Sequence, residues 1–238
     1  MVSKTAFVTG SDRGLGFALV QVLLGRGYKV FAGSYMPEWG DLVKLTHEHQ
    51  GNLHILPLDV TDEESVKKAA ASIQAKVDHL DLVINNAGIF KDSSGDILGE
   101  LNFDDMRRLY ETNTLGPLRV TNSIIHLLTV GTQKLLVNIS SEAGSISDCW
   151  RKSEFGYSMS KTAVNMQSAI LQNHLKEYGV KVLAFHPGYV RSYMLGQLNT
   201  EATVEPIDSA EGIIEQTLKA HSLDGPIYLD YQGNQIEW

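Results

Sequence analysis

Short apolar runs alternate with longer amphipathic stretches along all 238 residues of the chain. The runs are nearly all apolar instead of alternating, as expected for parallel strands that are buried on both faces. They predict strands at Thr5–Val8, Lys29–Ala32, Leu53–Leu58, Leu80–Ile84, Lys134–Ile139, Lys181–Phe185 and Pro226–Leu229. The stretches between them predict helices at roughly Gly14–Arg26, Asp41–Gln50, Asp62–Lys76, Phe103–Val130, Phe155–Tyr178 and Ile207–His221.

This alternation predicts an α/β fold in which helices cover both faces of a parallel sheet. A closed eight-stranded barrel is the rival architecture, but it needs about 250 residues and eight units, whereas the sequence supplies six or seven. We therefore expect one doubly wound, Rossmann-type domain over residues 1–238, with about seven strands. The start of the third helix is predicted at Thr61-Asp-Glu-Glu64, which has the spacing of a capping box.

Composition narrows the class of protein. Hydrophobic residues make up 43% and charged residues 20% of the chain, as in soluble globular proteins, and no apolar run reaches the ~18 residues of a membrane helix. The formal charge of −8 disfavours nucleic acid as a partner. Cys149 is the single cysteine, and the first residues lack the apolar stretch of a secretory signal. We expect a cytoplasmic protein without nucleic-acid or membrane partners; His47 and His49 point to different sides of a helix, so no metal site is predicted.

The turn after the first strand is rich in glycine. It reads Thr9-Gly-Ser-Asp-Arg13-Gly-Leu-Gly16 and leads directly into an apolar helix. Glycines here permit a tight turn and the close approach of a phosphate to the backbone, and the helix N-terminus offers free N–H groups to a pyrophosphate. The spacing Gly-x-x-x-Gly-x-Gly differs from the older Gly-x-Gly-x-x-Gly fingerprint. It predicts a dinucleotide site, with a purely conformational role of the glycines as the alternative.

The end of the second strand bears on the kind of nicotinamide cofactor. NAD sites usually place an acidic residue there to bind the ribose 2′-hydroxyl, but this sequence has Ser34. A carboxylate would repel a 2′-phosphate, whereas the Ser34 hydroxyl would donate to it. Arg13 is placed to make charge-assisted hydrogen bonds with that phosphate, unless it is a solvated loop charge. Together the two residues predict a preference for NADP(H), with NAD(H) as the alternative cofactor.

One tyrosine has a lysine four residues further on. Of the nine tyrosines only Tyr157 does, the lysine being Lys161, and residues at this spacing share a helix face. A free phenol titrates near ~10, and a nearby ammonium favours the phenolate, so we expect a lowered pKa for Tyr157. The pair predicts proton transfer by general acid–base catalysis; an ordinary amphipathic helix is the alternative.

With these motifs in place, the chain resembles the short-chain dehydrogenase/reductase family over essentially its whole length. The further motifs that carry the resemblance are, in order, Asp59-Val60, Asn85-Asn86-Ala87-Gly88, Asn113, Ser140-Ser141, Tyr157-Ser-Met-Ser-Lys161 and Pro187-Gly188-Tyr-Val190-Arg-Ser192. Ser192 stands where the family usually has Thr, and the interval from Ser141 to Tyr157 is a few residues longer than usual. Within the family, Ser140–Ser145, Gly156–Lys161 and the Trp-terminated tail are similar to small bacterial C-factor and animal sniffer-type carbonyl reductases.

The resemblance implies roles for four catalytic residues. Tyr157 donates the proton when a ketone or aldehyde is reduced and accepts it in reverse; Ser141 binds the reacting oxygen. Lys161 also binds the nicotinamide ribose, and Asn113 anchors a water that carries protons away from Lys161. By motif or resemblance, the expected cofactor-binding residues are Gly10, Ser11, Arg13, Gly14, Leu15, Gly16, Ser34, Asp59, Val60, Asn86, Ala87, Gly88, Tyr157, Lys161, Pro187, Gly188, Val190 and Ser192. Of these, Asp59 and Val60 are expected at the adenine, and Pro187 to Ser192 at the nicotinamide.

The substrate pocket is predicted in the loops after the fourth, fifth and sixth strands, roughly Ile89–Leu98, Glu142–Phe155 and Tyr189–Val204. Their apolar residues suit a hydrophobic or aromatic carbonyl, and two basic residues leave room for an anionic group. These residues are Trp150, Tyr189, Tyr193, Met194 and Leu195, with Arg151 and Lys152. We expect an NADPH-dependent carbonyl reductase; the alternatives are an alcohol dehydrogenase working in the oxidative direction and a dinucleotide-binding sensor or signalling protein that does not turn over. The resemblance also implies a homodimer or homotetramer.

Overall fold

The computed structural model describes residues 4–36, 38–90, 95–194 and 196–238. One parallel sheet contains the strands Thr5–Val8 (β1), Lys29–Ser34 (β2), Leu53–Pro57 (β3), Leu82–Asn85 (β4), Leu135–Ile139 (β5), Lys181–His186 (β6) and Ile227–Asp230 (β7), in the order β3-β2-β1-β4-β5-β6-β7. The helices are Gly14–Gly25 (α1), Asp41–Glu48 (α2), Glu63–Gln74 (α3), Phe103–Tyr110 (α4), Gly116–Thr129 (α5), Phe155–Leu175 (α6) and Pro206–Lys219 (α7). The predicted doubly wound α/β fold is confirmed.

Both faces of the sheet are buried. Along β1, Ala6 and Val8 belong to an apolar cluster shared with α1 and α7, whereas Phe7 between them belongs to a second cluster shared with α3 and α5. This two-sided burial explains why the strands have almost no polar positions. The strand order reverses between β1 and β4. Because ligands of open α/β sheets bind at such a switch point, outside the carboxyl ends of the strands, the functional residues are expected there.

The segment predicted as the single helix Phe103–Val130 is interrupted. Residues Glu111–Leu115 form a π turn between α4 and α5, in which the Gly116 N–H donates to the carbonyl of Glu111. Pro117 has no N–H, so it cannot donate to the carbonyl of Asn113 as a regular helix would require. The break begins about one turn before Pro117, and Asn113 lies inside it.

The predicted capping box of α3 is wrong by one residue. Asp62 caps the helix, because its side chain accepts from the N–H of Glu64. The carboxylate of Asp59 accepts from the hydroxyl and the N–H of Thr61, at 2.7 and 2.8 Å. Since the Thr61 hydroxyl is used in this turn, it does not cap the helix.

Candidate active site and dinucleotide cleft

The glycine turn between β1 and α1 forms the floor of a cleft. Gly10 and Gly14 have φ of +64° and +55°, in the left-handed region that favours glycine. A Cβ on Gly16 would lie 2.0 Å from the carbonyl oxygen of Gly10. No side chain caps α1, and its first turn carries no acidic residue. The turn therefore fits a pyrophosphate, because the uncapped N–H groups and the helix dipole favour an anion there.

Thr9 and Asn86 brace this turn from below. The Thr9 hydroxyl accepts from the N–H groups of Asn86 and Ala87, both at 3.0 Å, and the Asn86 side chain donates to the carbonyls of Thr9 and Gly10. Ser11 is fully buried and its hydroxyl donates to a backbone carbonyl of β1. Ser11 and Asn86 thus shape the turn through their side chains. Thr9, which was not among the predicted site residues, takes part in three of these four hydrogen bonds.

Arg13 packs against a pair of aromatic rings. Its guanidinium carbon is 4.8 Å from the ring centre of Trp39 and 5.7 Å from that of Tyr193, and the two rings meet edge to face at 4.8 Å. Trp39 precedes α2 and Tyr193 follows β6, so the contact joins segments from opposite sides of the switch point. We call Arg13, Trp39 and Tyr193 the aromatic clasp. Trp39 was not singled out from the sequence, since its partner lies far along the chain.

Ser34 has a different partner from the one expected. Its hydroxyl donates to the carboxylate of Asp12 at 2.5 Å, and that carboxylate also accepts from the N–H groups of Tyr35 and Met36. Asp12 is only 5% exposed. The donation from Ser34 to a 2′-phosphate stays a prediction, and it requires the hydroxyl to turn away from Asp12. Arg13 is left as the cationic group at this end of the cleft.

A cavity of about 360 Å³ opens beside the end of β2. It is lined by Ser34, Tyr35, Ile55, Pro57, Leu58, Asp59 and Ser65. Its apolar walls suit the adenine expected here, with Asp59 at the rim. Val60 is buried against Gly116, and its carbonyl accepts from Arg119.

The segment after β6 borders the other side of the glycine turn. Gly188 has φ +82°, and a Cβ on Gly14 would lie 3.3 Å from the Cβ of Ser192. Val190 forms a β-bridge with Val204, which holds the segment back on itself. The structure thus brings Ser192 onto the cleft formed by the glycine turn, whereas the contacts of Gly188 and Val190 are with Val204 and Tyr231.

Three of the four predicted catalytic side chains meet at the end of β5. Ser141 is the second residue after the strand, and its side chain is hydrogen-bonded to Tyr157 in the first turn of α6. The Lys161 ammonium lies 5.7 Å from the centre of the Tyr157 ring and donates to the carbonyl of Ile139 at 2.9 Å. Phe90 packs edge to face on the Tyr157 ring at 4.6 Å. The phenol is thereby held between a hydroxyl, an ammonium and an aromatic ring.

The pKa of Tyr157 departs from the expectation. Burial raises it to about 12, although the hydrogen bond to Ser141 and the charge of Arg151 act to lower it. Burial also lowers the pKa of Lys161 to about 8. The prediction of a lowered phenol pKa is thus wrong for this structure, because burial destabilises the phenolate by more than the neighbouring groups stabilise it. At neutral pH the site holds a protonated phenol.

Asn113 reaches the same site from the π turn. Its side-chain oxygen accepts from the N–H of Ile89 at 2.8 Å, and its amide nitrogen donates to Ile89 and Ser160. It faces Gly88, whose Cβ position is 3.2 Å from the Asn113 oxygen and 3.8 Å from the Lys161 nitrogen. Its side chain is thus engaged by protein groups, whereas its backbone carbonyl cannot accept from residue 117, which is a proline without an N–H.

The substrate loops are partly described. Residues 91–94 and Leu195 lie outside the described residues. Trp150, Tyr189 and Met194 are exposed, as is Lys152. A second cavity, of about 290 Å³, separates the loop after β5 from the last residues of the chain and is lined by Glu142, Ser145, Asp148, Trp150, Arg151, His186, Asp230 and Ile236. The contribution of residues beyond β7 to this wall was not predicted.

Comparison with known proteins places this geometry in a family. A family model described as short chain dehydrogenase matches residues 4–203. The NADPH-bound carbonyl reductase from chicken fatty liver is 33% identical, with a TM-score of 0.88 and complete coverage of both chains. The carbonyl reductase Sniffer of D. melanogaster is 26% identical, with a TM-score of 0.90 over 99% of this chain and 100% of that chain.

A third relative is the C-signal protein of Myxococcus xanthus. It is 32% identical over 161 residues, which cover 67% of this chain and 93% of that protein. The resemblance to the C-factor and sniffer-type subgroup is thereby confirmed. None of the helices in the described ranges is long and apolar enough to cross a membrane.

Proposed function

The chain belongs to the short chain dehydrogenase family, and on this premise we propose that it reduces an aldehyde or ketone with NADPH, with Tyr157 as the proton donor. The observation that carries the proposal is the hydrogen-bonded Ser141–Tyr157 pair with its protonated phenol. A protonated phenol that is hydrogen-bonded to Ser141 is placed to give its proton to the alkoxide that forms when a carbonyl is reduced. An alcohol dehydrogenase working in the oxidative direction is the alternative, in which the same phenol oxygen takes the proton.

The cofactor preference rests on charge. Arg13 is held beside the uncapped start of α1 by the aromatic clasp, so its guanidinium is available for charge-assisted bonds to a 2′-phosphate. The chicken relative is described as NADPH-bound, which supports the same preference. The buried carboxylate of Asp12 is already engaged by Ser34 and two backbone N–H groups, which limits its repulsion of the phosphate.

The chemistry is divided between the cofactor and the chain. When bound, the dinucleotide supplies the hydride that reaches the carbonyl carbon. Ser141 and Tyr157 donate hydrogen bonds to the carbonyl oxygen and so hold it, and Tyr157 transfers its proton to that oxygen as negative charge develops. Lys161 stabilises the phenolate that remains, since its ammonium lies close to the ring. The backbone carbonyl of Asn113 holds a water through which the proton of Tyr157 is replaced.

We propose a hydrophobic or aromatic carbonyl substrate and a homo-oligomeric assembly. Exposed Trp150 and Tyr189 border the catalytic end and suit an aromatic ring. On α6 an exposed apolar stripe contains Met159, Met166 and Ile170. Such a stripe is of the kind that a second copy covers, and light scattering after gel filtration measures the mass directly.

The proposed function is tested by following NADPH absorbance with a panel of aldehydes and ketones that includes 4-nitrobenzaldehyde, acetophenone and menadione. Tyr157→Phe should abolish turnover and leave the NADPH dissociation constant within about twofold, because the phenyl ring keeps the packing on Phe90. Tyr178→Phe, at a tyrosine outside the cleft, is the matched control. Turnover retained by Tyr157→Phe contradicts the assignment, and no turnover of any panel member by the natural chain contradicts the function.

A further inference from the structure

One arginine, Arg151, joins the two ends of the long segment between Ser141 and Tyr157. The Arg151 guanidinium pairs with Glu142 at 2.8 Å through Nη2 and with Glu154 at 3.0 Å through Nε. Its side chain is only 14% exposed and stacks on the ring of Trp150 at 4.6 Å. A guanidinium presents separate donors in a rigid fork, so this one side chain joins two carboxylates nine and three residues away.

The two carboxylates flank the two residues that hold the reacting oxygen. Glu142 directly follows Ser141, and Glu154 stands three residues before Tyr157, at the start of α6. A fixed distance between Glu142 and Glu154 therefore limits how far Ser141 and Tyr157 can move apart. This matters because misplacing catalytic groups by about 1 Å can cost ~100-fold in rate.

The backbone at Glu154 shows that the carboxylate is held in place. Glu154 has φ +62° and ψ +40°, a left-handed conformation that is uncommon for a residue with a side chain. It stands at the N-cap of α6 but makes no side-chain cap; its carboxylate is turned toward Arg151. The ion pair thus compensates an unfavourable backbone conformation directly before the catalytic helix.

We propose that Arg151 is a positioning residue for the proposed reduction: it holds Glu142 and Glu154 on one guanidinium and so keeps Ser141 and Tyr157 at hydrogen-bond distance. This inference rests on the proposed function. Arg151 touches neither Ser141 nor the phenol in the described contacts, and it acts through its two carboxylates.

The electrostatic environment of Tyr157 adds a signature that a merely structural arginine would lack. The groups around the phenol are the Ser141 hydroxyl, the Lys161 ammonium, Arg151 and the carboxylates of Glu142 and Glu154. Arg151 lowers the pKa of Tyr157, whereas both carboxylates raise it. Removing Arg151 leaves two unpaired carboxylates near the phenol, so the pKa of Tyr157 rises further.

The test compares Arg151→Met, which keeps an unbranched apolar stem and removes the guanidinium and its charge, with Arg151→Lys. Arg107→Met, which breaks an exposed pair with Asp104 on α4, is the matched control. We expect Arg151→Met to lower kcat for 4-nitrobenzaldehyde by about 10-fold or more, with the NADPH KM within twofold. At pH 9.5, where the phenolate is the minor form, kcat for 4-nitrobenzyl alcohol oxidation should fall about 10-fold more than kcat for reduction, because a pKa raised by roughly one unit lowers the phenolate fraction about 10-fold.

Arg151→Lys separates charge from geometry. An ammonium restores positive charge but cannot bind both carboxylates as a fork does, so the extra loss of oxidation at pH 9.5 should disappear while kcat for reduction stays low. Glu154→Gly removes one arm of the fork, and glycine still accepts the left-handed backbone. It should therefore lower kcat for reduction, but without an extra loss of oxidation, because a carboxylate that raises the pKa of Tyr157 is gone. Natural kcat in Arg151→Met and Glu154→Gly overturns the proposal, as does equal loss of oxidation and reduction in Arg151→Met at pH 9.5.

Amide hydrogen exchange keeps this test independent of the proposed function. Residues 142–157 should exchange faster in Arg151→Met and Glu154→Gly than in the natural chain or Arg107→Met, because the segment has lost its clamp. If the natural chain reduces no aldehyde, the proposed function fails while the exchange still decides whether Arg151 holds the segment. Unchanged exchange in both variants overturns the clamp.

Discussion

Replacing Lys161 by Met should stabilise the fold at neutral pH while it abolishes turnover. Lys161 is 4% exposed, and burial lowers its pKa from 10.5 to about 8. The folded protein therefore holds a proton at pH 7 that it binds about 2.5 pH units more weakly than the unfolded chain does. At ~1.4 kcal/mol per unit, this costs about 3 kcal/mol of folding free energy.

The cost has a definite pH dependence. Below pH 8 both states are protonated and the cost is complete; between about 8 and 10.5 the folded state releases its proton first, so stability rises with pH. At pH 9.5 about 1 kcal/mol of the cost remains. Met also leaves the carbonyl of Ile139 without its donor, which costs ~1–2 kcal/mol at every pH. The variant should thus be more stable by roughly 1–2 kcal/mol at pH 7 and lose about 2 kcal/mol of that difference by pH 9.5.

Urea unfolding of both proteins at pH 7.0, 8.5 and 9.5 measures this difference. The range stops at 9.5 because tyrosines with raised pKa values begin to contribute near pH 10. Lys68→Met, at an exposed lysine of α3, should show a difference that does not change with pH. A Lys161→Met difference that stays constant from pH 7.0 to 9.5 would refute the reasoning, whatever its sign.

Three further predictions concern the cleft and its support. Gly16→Ala should lower the melting temperature and abolish NADPH binding, because the new Cβ meets the carbonyl of Gly10 at 2.0 Å and overpacking costs ~1–3 kcal/mol or more. Trp39→Ala should weaken NADPH binding roughly 2- to 30-fold, from the ~0.5–2 kcal/mol of a cation–π contact, and leave NADH nearly unchanged, because Arg13 loses its support. Burial raises the pKa of Asp81, but hydrogen bonds from hydroxyl and backbone groups outweigh burial and hold this pKa below its usual value. Asp81→Asn should therefore lower the free energy of unfolding by ~1–3 kcal/mol at pH 7. In acid unfolding, this difference should shrink as the pH falls below about 4.

Each of these has a contrary outcome. Natural NADPH affinity in Gly16→Ala would mean that the turn can move aside. Equal loss of NADPH and NADH in Trp39→Ala would assign the clasp to the whole dinucleotide instead of its 2′-phosphate, and Trp150→Phe, at an exposed ring, controls for general loss of aromatic surface. A cost for Asp81→Asn that does not shrink at all between pH 5 and pH 3 would show that shape, and not charge, is lost.

The local patterns were sufficient for the fold and the positions of most site residues. Buried strands need apolar side chains on both faces, so their runs are visible without any partner. The glycine turn is equally local, because the conformations of Gly10 and Gly14 exclude most other residues. Tyr157 and Lys161 share a helix face because they are four residues apart, so the sequence alone was sufficient to predict this pair.

The features that were missed join residues far apart in the chain. Trp39 and Tyr193 are in contact although they are 154 residues apart in the sequence. Asp12 accepts a hydrogen bond from the Ser34 hydroxyl, 22 residues away. The periodicity of a sequence does not indicate such contacts. The ion pairs of Arg151 depend on a left-handed backbone at Glu154. A glycine at this position would have indicated that conformation in the sequence, whereas a glutamate does not.

The sequence by itself determined which groups are present at the end of β5: a phenol, an ammonium and two hydroxyls in a nicotinamide-binding frame. Only the tertiary structure decided their protonation. The sequence showed Lys161 beside Tyr157 and so predicted a lowered phenol pKa, but burial raises it to about 12 and lowers that of Lys161 to about 8. Spacing along a helix reports which charges are neighbours, whereas desolvation depends on everything packed around them, and that is a property of the folded chain.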